Sequence, residues 1–120
     1  MSKCILVVED QKDNRQILRD LLTNAGFEMI EAENGEDAVA SAQARRPDLI
    51  LMDIQLPVLD GYEATRRIKA HPDLKSIPII VVTSYALSGD EDKARLAGCD
   101  DYVAKPFSPR QLLAKIKEYV

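Results

Sequence analysis

Five short aliphatic runs alternate with five stretches of helical spacing, and few folds accommodate that rhythm. The runs are Cys4 to Val8, Glu28 to Ala32, Leu49 to Met52, Ile79 to Val82 and Asp101 to Ala104. Leu49-Ile50-Leu51-Met52 is apolar throughout, as expected of a strand covered on both faces. Between the runs, Ile17, Leu18, Leu21, Leu22 and Ala25 fall on one predicted helix face, with Gly26 ending that helix. Asn34 is placed to cap a second helix carrying Ala38, Val39 and Ala42, with Pro47 just beyond it. Asp60 and Glu63 have capping-box spacing for a third, from Tyr62 to about Ala70, which His71-Pro72 stops. Ser88 and Glu91 repeat that spacing for a fourth, ended by Gly98. Ser108-Pro109-Arg110-Gln111 starts the last, with Leu112, Leu113 and Ile116 facing inward. Strict alternation implies an α/β, doubly wound, five-stranded parallel sheet with helices on both faces. Five strands suit the flavodoxin-like order 2-1-3-4-5, in which strands one and three flank the switch point where ligand chemistry collects.

Composition narrows the class of protein. A chain of 120 residues, 46% hydrophobic and 30% charged, matches one globular domain spanning 1–120. A net charge of -4, with no long Lys/Arg run, disfavours direct contact with nucleic acid or an anionic membrane. The two cysteines, Cys4 and Cys99, form no metal knuckle and read as reduced thiols. The apolar run after Lys3 is too short for a signal peptide or a membrane span, so a cytoplasmic location is expected.

The residues that follow the strands carry the chemistry. Glu9 and Asp10 follow the first, Asp53 the third, Thr83 and Ser84 the fourth, Lys105 and Pro106 the fifth. In the expected fold all of these collect at one rim. Two unit charges 4 Å apart repel by about 4 kcal/mol at an effective dielectric near 20, so three carboxylates there require compensation. Lys105 offers part of it; a hard divalent cation such as Mg²⁺, which takes a few carboxylate oxygens and keeps several waters, is the natural remainder. Asp53 then becomes a credible nucleophile toward a phosphoryl group, a transfer that needs mainly positioning and charge neutralisation. Singly, each residue has a plainer role: Asp10 as a helix cap, Asp53 as a turn residue, Lys105 as a solvated lysine. Their joint placement on four strand ends favours the chemical reading.

On these residues the chain resembles the response-regulator receiver domains, the family of the chemotaxis response regulator. The resemblance rests on Val7-Val8-Glu9-Asp10, on the run from Leu49 through Asp53 to Pro57 with Asp60-Gly61, on Ile79 to Ser84, and on Gly98 to Pro106. It implies that Asp53 is the phosphoacceptor and that Glu9 and Asp10 are the acidic metal pair, Asp10 direct and Glu9 through water. It implies the Gln55 carbonyl as a further Mg²⁺ ligand, Thr83 and Tyr102 as the switch pair, Lys105 as the phosphate-pairing lysine, and a cis peptide before Pro106. Ser84 stands where the family more often has Ala, and Glu9 where Asp is often seen.

The function so implied is a phosphorelay switch. A sensor histidine kinase or histidine phosphotransfer protein donates the phosphoryl group, and a downstream protein reads the face built from the fourth helix, fifth strand and last helix. Exposed basic edges, Lys12, Arg15 and Arg19 on the first helix and Arg110, Lys115 and Lys117 on the last, are candidate docking contacts. With no output domain after the last helix, a stand-alone regulator acting by protein contact is expected. A dehalogenase-type phosphatase would need a general acid two residues after Asp53, where this chain has Gln55. A flavin carrier of the same topology would need a phosphate cradle after strand one, where Glu9-Asp10-Gln11-Lys12-Asp13 stands. A receiver-like module that is never phosphorylated would be expected to lack the acids, the acceptor or the lysine.

Overall fold

The computed structural model describes residues 2–83 and 90–120, without the side chains of Thr83, Asp90 and Glu91. The elements run β1 (Cys4–Val8), α1 (Lys12–Asn24), β2 (Glu28–Ala32), α2 (Gly35–Arg45), β3 (Leu49–Asp53), α3 (Gly61–Ala70), β4 (Ile79–Thr83), α4 (Asp90–Ala97), β5 (Asp101–Ala104) and α5 (Pro109–Tyr119). All strand pairs are parallel, in the order β2-β1-β3-β4-β5.

Alternating side chains of the strands divide the core in two. Leu6, Val8, Ile50, Met52, Ile79 and Val81 face α2, α3 and α4, meeting Ala38, Ala42, Ala64, Ile68 and Ala94. Ile5, Val7, Leu49, Leu51, Ile80, Val82 and Val103 face α1 and α5, meeting Leu18, Leu22, Leu112 and Ile116. Full burial of a Leu or Ile side chain is worth about 1.5–3 kcal/mol. The two-sided core is therefore what holds the strand ends in register.

The capping signals act as expected where they are described. Asn34 accepts from the Asp37 N–H at 2.8 Å, Asp60 from Glu63 at 2.9 Å, and Ser108 from Gln111 at 3.5 Å. Gly26 and Gly98 adopt φ values of 92° and 106° after their helices, the left-handed region glycine reaches without a Cβ penalty. The Ser88 cap lies outside the described residues. Among those residues no helix is long and apolar enough to cross a membrane. Both cysteines are free and half-buried, and burial pushes the Cys99 thiol up to about 11, which suits an unreactive reduced thiol.

Positions on the first and last helices differ from the sequence expectation. Ile17 is 61% exposed rather than on the core face. The inward row of α1 is Arg15, Leu18, Leu22, three and four residues apart, and Ile17 lies beside it. Arg15, expected on an exposed docking edge, is 9% exposed because its guanidinium finds acceptors behind the helix. Lys115, also expected to be exposed, is half-buried and bonded to Asp101 at 3.1 Å.

Two ion-paired groups tie β5 to the helices. Lys69 donates to Asp100 at 2.7 Å and to the Ile77 carbonyl at 2.8 Å, while Asp100 also accepts the Ile79 N–H. Asp101 accepts from Lys115, from the Tyr119 hydroxyl and from the Tyr102 N–H. Burial works to raise the Asp101 carboxyl, but those three donors outweigh it and hold it below the ordinary range. Such a lowered group stabilises the fold fully above its unfolded value of about 3.9, and this is lost as pH falls through the folded value. Asp101→Asn is therefore expected to unfold at lower urea than the wild type at pH 7. The gap should narrow as the titration series descends below about pH 4.

Candidate active site

Strand register brings the functional residues together. Val8 pairs with Met52, so Glu9 and Asp53 are next in line at the carboxyl edge. Thr83 closes β4 opposite Ala104, and Lys105 follows. Oxygens of Glu9, Asp10 and Asp53 lie within 4.8 Å of one another. Lys105 Nζ is 3.4 Å from Asp53 Oδ2 and 3.7 Å from Glu9 Oε2. Glu9 is 3% exposed, Asp53 half-buried and Asp10 open to solvent. A cleft with one deep, one intermediate and one exposed carboxylate is a hard-cation donor set.

The electrostatics carry the mark of that crowding. Burial, then a hydrogen bond with Asp53 and the repulsion of its charge, push the Glu9 carboxyl up to about 7. The Asn14 amide and the Lys105 ammonium pull the other way. One lysine thus offsets only part of the charge that three acids bring.

The loop after β3 is held by close backbone approach. A Cβ at Gly61 would overlap the Asp53 carbonyl oxygen, and one at Gly35 would overlap that of Leu59. Only glycine lets α3 start against the end of β3 and α2 against the loop. The Gly61 N–H donates to Ile54 at 2.9 Å. Val58 sits at φ 69° in a γ-turn in which the Leu59 N–H donates to the Pro57 carbonyl at 2.7 Å. Gln55 is exposed on this loop, two residues past Asp53.

The Lys105-Pro106 peptide is cis. Pro106 and Phe107 with Pro109, Ile17 and Leu18 line a cavity of about 430 Å³ that opens beside Glu9 and Lys105. Tyr102 is half-buried on β5, packed on the α2–α4 side of the core. It also borders a second cavity of about 540 Å³ with Phe107 and Gln111. The Thr83 side chain and Ser84 lie outside the described residues. Sequence reasoning passed over Asn14 and the inward course of Arg15. Asn14 Nδ2 donates to Glu9 Oε1 at 2.6 Å, and Arg15 Nη1 to the Glu9 carbonyl at 2.9 Å. The available signal was their spacing, five and six residues past Glu9, which returns the first helical turn over the strand end.

Fold and site together define a doubly wound α/β protein with an acidic, lysine-flanked cleft at its switch point. A family model described as the response regulator receiver domain matches residues 5–117. The polar-differentiation response regulators DivK of Brucella anthropi and Brucella abortus are 43% and 42% identical over 120 residues, covering 100% of this chain and 98% of theirs. The receiver domain of sensor histidine kinase PA1611 from Pseudomonas aeruginosa, solved with a magnesium ion coordinated in its active-site cleft, superposes with a TM-score of 0.93. It is 40% identical, covering 99% of this chain and 98% of that one. Chemotaxis response regulator CheY4 of Vibrio cholerae gives a TM-score of 0.93 at 28% identity, with 100% of both chains covered. The chain belongs to the response regulator receiver domain family and is a receiver domain of the two-component type.

Removing one acid relieves the repulsion. In the presence of a chelator, Asp53→Asn is expected to be about 1–2 kcal/mol more stable than wild type by urea denaturation, the Lys105 contact offsetting the rest. An equal or lower stability would show that the carboxylates do not strain the cleft.

Proposed function

We infer that this chain accepts a phosphoryl group on Asp53 from a phosphohistidine donor in a Mg²⁺-dependent reaction, and signals by a change of protein contacts. The observation that carries this is the convergence of Glu9, Asp10 and Asp53 within 4.8 Å, with Lys105 3.4 Å from Asp53. Asp10, Asp53 and the Gln55 carbonyl would hold the ion directly, and Glu9 through water. When bound, Mg²⁺ supplies charge neutralisation at the phosphoryl oxygens.

An Asp53 carboxylate oxygen attacks phosphorus, the P–N bond breaks, and the imidazole leaves with the electron pair. Lys105 Nζ, already beside Asp53, pairs with a phosphoryl oxygen. Thr83 and Tyr102 form the switch: the hydroxyl follows the new charge, and the ring moves inward. The face of α4, β5 and α5 then changes, and a downstream protein reads it. Release of phosphate is slow, since Gln55 cannot act as the general acid that a hydrolase places there. The domain therefore stores a signal rather than turning over a substrate, in the cytoplasm, where a kinase donor meets it.

The donor docks over the apolar cavity of Ile17, Leu18, Pro106, Phe107 and Pro109, which is continuous with the acidic cleft. Its phosphohistidine then reaches Asp53 from the side of Lys105.

Incubation with acetyl phosphate and Mg²⁺ should add one phosphoryl group by intact mass. Asp53→Asn should add none, and a chelator should prevent labelling of the wild type. Unmodified wild-type mass under these conditions would sink the reading. Ile17→Asp should slow transfer from a phosphohistidine donor about tenfold, the effect of losing roughly 1.4 kcal/mol of interface, while acetyl phosphate labelling stays at the wild-type rate.

A further inference from the structure

Asn14 belongs to no role assigned so far, yet it makes a short side-chain contact at the cleft. Its Nδ2 lies 2.6 Å from Glu9 Oε1 and 3.3 Å from Gln11 Oε1. Glu9 is buried, so whichever of its oxygens is bound to protein is no longer free to turn outward. An amide nitrogen only donates, which makes Oε1 an acceptor and leaves Oε2 as the oxygen facing Lys105, 3.7 Å away. The next residue fixes the other end of Glu9. Arg15 Nη1 donates to its backbone carbonyl at 2.9 Å, and Nη2 is anchored on Glu33 Oε1 at 3.2 Å. One turn of α1 therefore clamps Glu9 by carbonyl and by carboxylate.

We propose that Asn14 is a positioning residue of the cation cleft: it selects which Glu9 oxygen faces the ion and so sets the affinity for Mg²⁺, without touching the phosphoryl group. This rests on the proposed function. Partners that orient a metal's ligands typically change metal affinity by roughly 10–100-fold when lost. Alanine is a good test residue because Asn14 is half-exposed on a helix, where Ala is the most favourable residue.

The test is Mg²⁺ binding by calorimetry, run beside urea denaturation and acetyl phosphate labelling at saturating Mg²⁺. Asn14→Ala should raise the Mg²⁺ Kd roughly tenfold or more. Its labelling rate at saturation and its unfolding midpoint should stay near the wild-type values. Because Asn14 acts through Glu9, the substitution should have no further effect on Kd in a Glu9→Ala background. An unchanged Kd in Asn14→Ala, a lowered labelling rate at saturation, or an undiminished effect in the Glu9→Ala background would each overturn the assignment. A wild-type chain that binds no Mg²⁺ would instead overturn the proposed function on which it rests.

Discussion

Mutual repulsion of like charges at the carboxyl edge of the sheet is the constraint around which the site is built. Parallel pairing with Val8 opposite Met52 and Asp53 opposite Val82 leaves Glu9 and Asp53 no choice but to be neighbours. A surface could relax such a pair by turning side chains into water. Here Glu9 is buried, and Asn14 and Arg15 hold it in place. The price of that rigidity shows in a Glu9 carboxyl pushed up to about 7. Charge crowding of this kind is stable only because a two-sided core supplies the folding free energy, and it becomes useful because an arriving cation relieves it.

The same economy governs the backbone. Gly61 lets α3 begin against the Asp53 carbonyl, and Gly35 lets α2 begin against that of Leu59. Between them the loop after β3 has little freedom, although one of its residues, Val58, is a β-branched side chain at positive φ. Helices packed this closely on the loop turn a flexible connection into part of the cleft wall. The position of the Gln55 backbone then follows from helix packing.

Much of this was legible in the residues themselves. Strand and helix limits followed from period, capping and glycine signals, and the strand order followed from alternation, because a parallel sheet permits few others. The convergence of Glu9, Asp10, Asp53 and Lys105 was legible from their places at the strand ends. The side of a helix on which a long charged residue lies was not. A helical wheel places Arg15 on the same row as Leu18 and Leu22. Ordinary expectation then moves a charge to the surface, because it does not see the Glu9 carbonyl and Glu33 waiting behind the helix. Ile17 was misplaced for the complementary reason, an apolar residue assigned inward when the row was already full. Lys115 has the same history: Asp101 on β5, far away in sequence, draws it in. Long-range acceptors decide these cases, and period cannot report them.

Those displacements have a consequence for recognition. With Arg15 engaged behind α1 and Lys115 engaged on β5, the basic edges expected to draw in partners are weaker than their composition suggests. What α1 presents instead is Ile17, beside Pro106, Phe107 and Pro109 at the mouth of the cleft. An acidic protein of net charge -4 that meets a partner through an apolar patch gains little long-range steering. It gains a contact whose strength depends on fit and burial, and so on the shape of a few side chains next to the acidic cleft. On the docking proposed above, discrimination among donors of similar charge would be a matter of packing at the cavity. The cis Lys105-Pro106 peptide joins the charged and apolar halves of that surface, so Lys105 and the cavity lining are set by one stretch of backbone.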